Sequence, residues 1–116
     1  MSEFKILKRA FDLYSVTIRI TNSAPKKYRK NYVEILQELV KEINSNIFYG
    51  NEEEDKETKL KMFKKTLKDL KFFSMYTYRA EIDLCITIKQ KCEIDEIEDE
   101  VNRMLTAMVK KLEAEH

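Results

Sequence analysis

A chain of 116 residues with one glycine, Gly50, and one proline, Pro25, has few means of making tight turns. A sheet protein of this length needs many Gly, Pro and Asn turns to reverse its strands. So few breakers leave a handful of long helices, and the spacing of apolar residues divides the chain into four.

The spacing predicts a first helix over 4–22, with Phe4, Leu7, Phe11, Tyr14 and Ile18 as its apolar stripe and Ala10 and Leu13 widening it. Ser2 is placed to cap it, with Glu3 adding negative charge at its start. Pro25 pushes Ala24 out of helical geometry and suits the first position of a second helix. That helix is expected over 25–49, with Tyr28, Tyr32, Ile35, Leu36, Leu39, Ile43 and Ile47 on one face, and Gly50 as the left-handed residue beyond its end. A third helix is expected over 54–91, its stripe reading Leu60, Phe63, Leu67, Leu70, Ser74, Tyr78, Ile82, Cys85, Ile88. At roughly 38 residues it would rise about 57 Å and bend or overhang. Asp95 and Glu98 read as a capping box before a fourth helix over 96–113, with Ile97, Val101, Met104, Leu105, Met108 and Leu112 apolar.

Four amphipathic helices with short links predict an all-α fold, an antiparallel up-down-up-down bundle forming a single domain over 1–116. Ile6, Val16, Ile20, Met62, Phe72, Phe73 and Ile86 fall off or beside the stripes. An exposed apolar excess marks an interaction surface, so a homo-oligomer is expected.

Charge narrows the function classes. The chain is 37% charged and 43% hydrophobic, too apolar for a disordered chain, and its formal net charge of +1 excludes a polycation. The distribution is uneven. Residues 56–71 hold seven lysines against Glu57 and Asp69, whereas residues 93–100 hold six acids and no base. Charge runs of this kind are solvated helix faces, or else one basic and one acidic surface that meet different partners.

Much chemistry is missing. The only histidine is His116, at the tail, which removes His-based acid–base catalysis and Glu-x-x-His metal pairs. One glycine cannot build a phosphate loop. Cys85 and Cys92, placed on one helix, would be too far apart for a disulfide, and no second pair offers a metal site. Two reduced thiols, no apolar leader and no apolar run long enough to span a bilayer lead to the expectation of a cytoplasmic protein without membrane contact. Glu93, Glu96 and Glu100 share a helix face and could hold Mg²⁺ with nucleotide phosphates, but no second acidic pair faces them. A capped acidic helix start is the simpler reading. No enzyme, cofactor or metal is expected.

The motifs and layout resemble a known family. "FKILKRAFDLY" is similar to an aromatic-x-x-x-K-x-A-x-x-L pattern through Phe4, Lys8, Ala10 and Leu13. "APKKYRK" is similar to a Phe-Pro-Lys-x-x-Arg turn through Pro25, Lys26 and Arg29, with Ala24 replacing the aromatic. "INSNIFYGN" ends the second helix much as in that family, and the resemblance covers about 4–112. The family is the bacterial four-helix-bundle group that includes proteins encoded by 23S rRNA intervening sequences and Avd, the accessory variability determinant of diversity-generating retroelements. The chain departs from it in carrying "EIDEIED" where relatives have an Ile-Ser-x-x-x-Tyr turn, and in its lysine-rich third and acidic fourth helices.

The Avd branch is favoured by "NEEEDKETKLKMFKK" and the lysine-dense third helix. This resemblance implies a barrel-like homopentamer with basic surfaces, a non-catalytic accessory that associates with a reverse transcriptase and its template RNA to support mutagenic retrohoming. Lys26, Lys27, Arg29 and Lys30 of the turn and Lys61, Lys64, Lys65, Lys68 and Lys71 of the third helix are the candidate RNA contacts, with DNA as a further candidate ligand. Tyr28 is a candidate for stacking on an unpaired base. The competing expectation is a structural or protein-interaction bundle of the intervening-sequence type that never meets nucleic acid, which the near-neutral net charge favours.

Overall fold

A computed structural model describes residues 2–115, with side chains from residue 4 onward. The side chains of Ser2 and Glu3, on which the expected capping role falls, and the tail residue His116 lie outside what the structure describes. The elements in order are α1 (Ser2–Asn22), a 3-10 turn (Lys26–Tyr28), a π turn (Arg29–Val33), α2 (Glu34–Glu52), α3 (Lys56–Ile82) and α4 (Ile88–Ala114). There is no strand among the described residues.

The four helices pack in a ring, each against the next and α4 against α1. Cross-helix contacts fix their directions. Gln37 donates to Thr21 Oγ1 at 2.9 Å, and Asn44, farther along α2, donates back to the Ala10 carbonyl at 2.8 Å, so α1 and α2 run antiparallel. Lys65 meets Glu42 across α3 and α2. Lys56 meets Glu115 and Lys64 meets Glu113 across α3 and α4. Arg9 pairs with Glu100, and Arg19 with Glu93, across α1 and α4. The result is an up-down-up-down four-helix bundle, 47 Å long and about 20 Å across (22 × 19 Å).

The third helix is shorter than its uninterrupted pattern predicts. It stops at Ile82, where the Leu84 amide donates to the Glu81 carbonyl at 3.1 Å and the Cys85 amide to the Ala80 carbonyl at 2.8 Å. This is the paired closure in which one residue turns left-handed, and that residue is Leu84, at φ 67°. The fourth helix then starts at Ile88 rather than 96. Its capping box is Thr87 with Gln90, and Asp95 and Glu98 lie inside the helix. The overhang expected of a third helix reaching 91 is therefore absent, and Cys85 and Cys92 lie on a link and a helix respectively. Both are free thiols, Cys85 buried and Cys92 exposed.

The second helix is also entered differently. Pro25 precedes the helical turns (φ −58°, ψ 143°), and regular α geometry begins only at Glu34. Through the 3-10 and π turns, Tyr28 and Tyr32 both reach Asp83 at the far link. Tyr28 donates to its carbonyl at 2.6 Å and Tyr32 to its carboxylate. The Tyr32 hydroxyl holds the Asp83 carboxyl below its ordinary range, and that carboxylate in turn raises the Tyr32 phenol. Gly50 does not end α2 as a left-handed residue. It lies inside the helix, buried, where a Cβ would stand 2.4 Å from the Phe63 ring.

The core runs the length of the bundle through Leu13, Leu36, Ile43, Ile47, Phe63, Leu70, Phe73, Ile94 and Leu105, all fully buried. On α1 it uses Ile6, Ala10, Leu13, Val16 and Ile20, while Phe4 and Phe11 of the expected stripe stand in solvent, 73% and 61% exposed. On α3, Tyr78, Ile82 and likewise Ile88 of α4 are exposed, whereas Phe73 and Ala80 are buried. Five of the residues expected to be surplus, Ile6, Val16, Ile20, Phe73 and Ile86, are thus core. Phe72 of that set is exposed as expected, and the other apolar side chains left outside are Phe4, Phe11, Phe48, Tyr49, Met75, Tyr78, Ile82, Leu84 and Ile88.

Candidate nucleic-acid interface

The basic surface begins with the register of α3. Asp55 caps the helix by accepting from the Thr58 amide at 3.0 Å and the Thr58 hydroxyl at 2.6 Å, and these bonds hold its carboxyl below the usual range. Phe63, Thr66, Leu70, Phe73, Thr77 and Ala80 point inward. With 3.6 residues per turn, Lys61, Lys64, Lys65, Lys68 and Lys71 then fall within about 120° on the opposite side. All five are exposed.

Their electrostatic partners differ. Lys64 Nζ lies 2.8 Å from Glu113, and Lys65 Nζ lies 3.1 Å from Glu42 and 3.0 Å from Asp69. Asp69 and then Glu42 raise the Lys65 ammonium above its ordinary value. Exposed pairs of this kind are worth about 0–1 kcal/mol each, so a phosphate competes for both lysines at little cost. Among the described residues, Lys61, Lys68 and Lys71 have no carboxylate within ion-pair distance.

Lys26, Lys27, Arg29 and Lys30 are also exposed, but they form a second, separate cluster. The Tyr28–Asp83 bond places their turn at the C-terminal end of α3. Lys71 lies twelve residues before Asp83, about 18 Å along the axis. Between the clusters α3 presents exposed Phe72, Met75, Tyr78 and Ile82. The Lys27 ammonium sits 5.1 Å from the Tyr28 ring centroid, and the Tyr28 hydroxyl is committed to Asp83, so this ring is tied into the turn.

The acidic stretch 93–100 is not a capped helix start; it lies in the interior of α4. It is partitioned by the helix turn. Glu93 and Glu100 face α1 and pair with Arg19 and Arg9, the latter at 2.7 Å, with Arg9 also 2.9 Å from Asp12. Glu100 and then Asp12 hold the Arg9 guanidinium above its ordinary range, and the guanidinium in turn lowers the Glu100 carboxyl. Asp95 pairs with Lys91 at 2.6 Å. Among the described residues no group of three or more His, Cys, Asp or Glu is arranged to hold a metal ion, and no helix is long and apolar enough to cross a membrane.

Glu98 behaves differently. It occupies the core register of α4, between Ile94 and Val101, and is 7% exposed. Burial pushes its carboxyl up to about 7, aided by the charges of Asp99 and Asp95 and opposed by Lys91. It lines a groove of about 460 Å³ between α3 and α4, with Lys68, Lys71, Ser74 and Asn102 among its neighbours. A stripe of apolar positions does not reveal this residue, because its side chain is charged. The signal was an acid at the i+4 position after Ile94 and three before Val101, a core register.

No protein-family model matches this chain, and no curated protein is significantly similar to it in sequence.

Proposed function

We propose that this protein is a non-catalytic RNA-binding accessory, of the kind its sequence resembles in the Avd branch, that joins a reverse transcriptase to its template RNA. The observation that carries the reading is the outer face of α3. Five exposed lysines share it, and Lys61, Lys68 and Lys71 have no carboxylate within ion-pair distance among the described residues. Ammonium groups arrayed on one face neutralise phosphates without reading sequence. The turn cluster Lys26, Lys27, Arg29 and Lys30 offers a second contact region, for RNA or for the polymerase.

The homo-oligomer belongs to the same proposal, a pentamer by resemblance. Phe4, Phe11, Phe48 and Tyr49 are exposed toward one end of the bundle, while Met75, Tyr78, Ile82, Leu84 and Ile88 are exposed toward the other. Two different apolar patches suit head-to-tail contacts, which close into rings. Light scattering that gives a monomer at micromolar concentration would remove this part.

A second reading, a protein-interaction bundle of the intervening-sequence type, is favoured by the ion pairs that interleave acids with Lys64 and Lys65. Replacing Lys61, Lys64, Lys65 and Lys68 by Gln separates the two. Helix content should hold, because these side chains are exposed. Affinity for single-stranded RNA should fall about equally across sequences. The slope of log affinity against log salt should flatten by roughly 0.7–0.9 for each phosphate that is no longer neutralised. Unchanged affinity and slope, or no RNA binding at low salt by the parent protein, would leave the protein-interaction reading.

A further inference from the structure

We infer that the groove between α3 and α4 is a pocket for a single unstacked guanine nucleotide, with the Glu98 carboxylate accepting from the base and Lys68 and Lys71 holding the phosphate. Its biological ligand, a guanine of bound RNA, rests on the RNA reading above. Glu98 is 7% exposed as a residue, its carboxyl opens onto the groove it lines, and no hydrogen bond or ion pair joins it to the described residues. A polar group so placed gains most from a partner that brings donors to it.

The lining selects among ligands. Lys68 and Lys71 stand on the α3 side, Glu98 and Asp99 on the α4 side. A bare anion would meet two carboxylates, and a bare cation two ammonium groups. A nucleotide meets both, with a donor edge at one end and a phosphate at the other. Guanine presents two adjacent N–H donors, N1–H and the 2-amino group, which match the two oxygens of one carboxylate as a guanidinium does. Adenine and cytosine place an acceptor beside their single amino group, and uracil has one ring N–H between two carbonyls. Leu67 supplies an apolar wall for the base, and Ser74, Asn102 and Thr106 supply hydroxyl and amide groups for the ribose. About 460 Å³ is within the usual range for a small-molecule site. Single-stranded RNA is commonly read through the Watson–Crick edges of splayed bases in this way.

Calorimetric titration with guanosine, inosine and adenosine 5′-monophosphates at low salt and about pH 8, above the value of about 7 at which Glu98 ionises, tests the pocket. Guanosine monophosphate should bind about 10- to 100-fold more tightly than adenosine monophosphate, with inosine monophosphate, which lacks the 2-amino group, in between. Glu98→Gln keeps the side-chain shape and removes the buried charge, so it should fold and should lose the guanine preference. Lys68→Gln with Lys71→Gln should weaken the monophosphate while leaving free guanosine unchanged. Equal binding of the three nucleotides, no guanosine monophosphate binding at millimolar concentration, or a guanine preference that survives Glu98→Gln would overturn the pocket. If the pocket fails while guanine-free RNA still binds the α3 lysines, the RNA reading stands alone. If guanosine monophosphate binds selectively and no RNA binds, the pocket stands and the RNA reading falls.

Discussion

Gly50→Ala sets two effects of known sign against each other. Alanine inside α2 gains about 1 kcal/mol of helix propensity over glycine. The added methyl group would stand 2.4 Å from Phe63 Cε1, 3.0 Å from Cδ1 and 3.2 Å from Cζ. Carbon atoms rest about 3.5–4.0 Å apart, so the ring must retreat by about 1 Å. Phe63 is fully buried, and close-packed interiors give way only by shifting their neighbours. Overpacking of this kind costs about 1–3 kcal/mol. The packing cost outweighs the gain at the middle of its range, and a net loss of about 1 kcal/mol (about 0–2) should lower Tm by about 4 °C. Urea and thermal melts followed by far-ultraviolet circular dichroism measure it. The same substitution made beside Phe63→Leu should be neutral or stabilising by up to about 1 kcal/mol, because the ring edge is gone. A Gly50→Ala protein more stable than the parent, or a double-mutant cycle with no coupling, would refute the idea that α2 keeps glycine there to admit Phe63.

Two further outcomes follow from the links and the core. Glu98 stays protonated in the folded protein up to about pH 7, whereas the unfolded chain ionises it near 4.5. Its contribution is complete below pH 4.5 and lost as the pH rises through about 7, a fall on the order of 2 kcal/mol after allowing for water at the groove mouth. Stability curves of Glu98→Gln should lack that fall; an unchanged pH slope would assign it elsewhere. Leu84→Gly removes a left-handed leucine that costs about 1–2 kcal/mol and is 79% exposed, so little packing is given up. Less glycine's greater freedom in the unfolded chain, the variant should gain about 0.5–1 kcal/mol in urea unfolding, and a loss would mean that the leucine side chain holds the link.

The four-helix architecture was legible because it rests on what the chain lacks, whereas the links and faces were hidden by residues acting out of type. The break between α3 and α4 carries no Gly, Pro or Asn; Leu84 takes the left-handed position, so periodicity ran on to 91 unchecked. The cap at Thr87 and Gln90 was readable, but Asp95 and Glu98 imitate one eight residues later. Faces were misread where threonine fills core positions. Thr17, Thr21, Thr66 and Thr77 are buried, and three of their hydroxyls bond carbonyls of the same helix: Thr21 to Thr17, Thr66 to Met62 and Thr77 to Ser74. Counted as polar, they blank out the true stripe on α1, and Phe4 and Phe11 then make the solvent face look like the core one. Every lysine named from the sequence is exposed, yet sequence positions alone do not show that α3 and the turn hold two clusters about 18 Å apart. The groove was invisible for a different reason: it depends on which α4 residues α3 covers, which spacing along one helix does not encode.

The near-neutral net charge and a basic face are compatible once the ion pairs are placed. A net charge of +1 weighs against a nucleic-acid module only if acids and bases share each surface. Here the acids of α4 are divided by the helix turn. Glu93 and Glu100 are taken up by Arg19 and Arg9 at the α1 seam, Asp95 by Lys91, and Glu98 by the interior. Glu93, Asp95 and Glu100 count fully in the net charge but are neutralised by their own partners, whereas Glu98 and Asp99 border Lys68 and Lys71 only at the groove and leave the outer face of α3, with exposed Lys61, Lys64 and Lys65, to the lysines. Charges beyond about 8–10 Å are largely screened at physiological salt, so an approaching phosphate responds to the local lysines rather than to the total. Charge reversal on the α1 seam, such as Arg9→Glu, should therefore disturb folding far more than it disturbs RNA affinity, while the α3 lysines should show the opposite pattern. That opposition is what makes the basic face separable from the bundle that carries it.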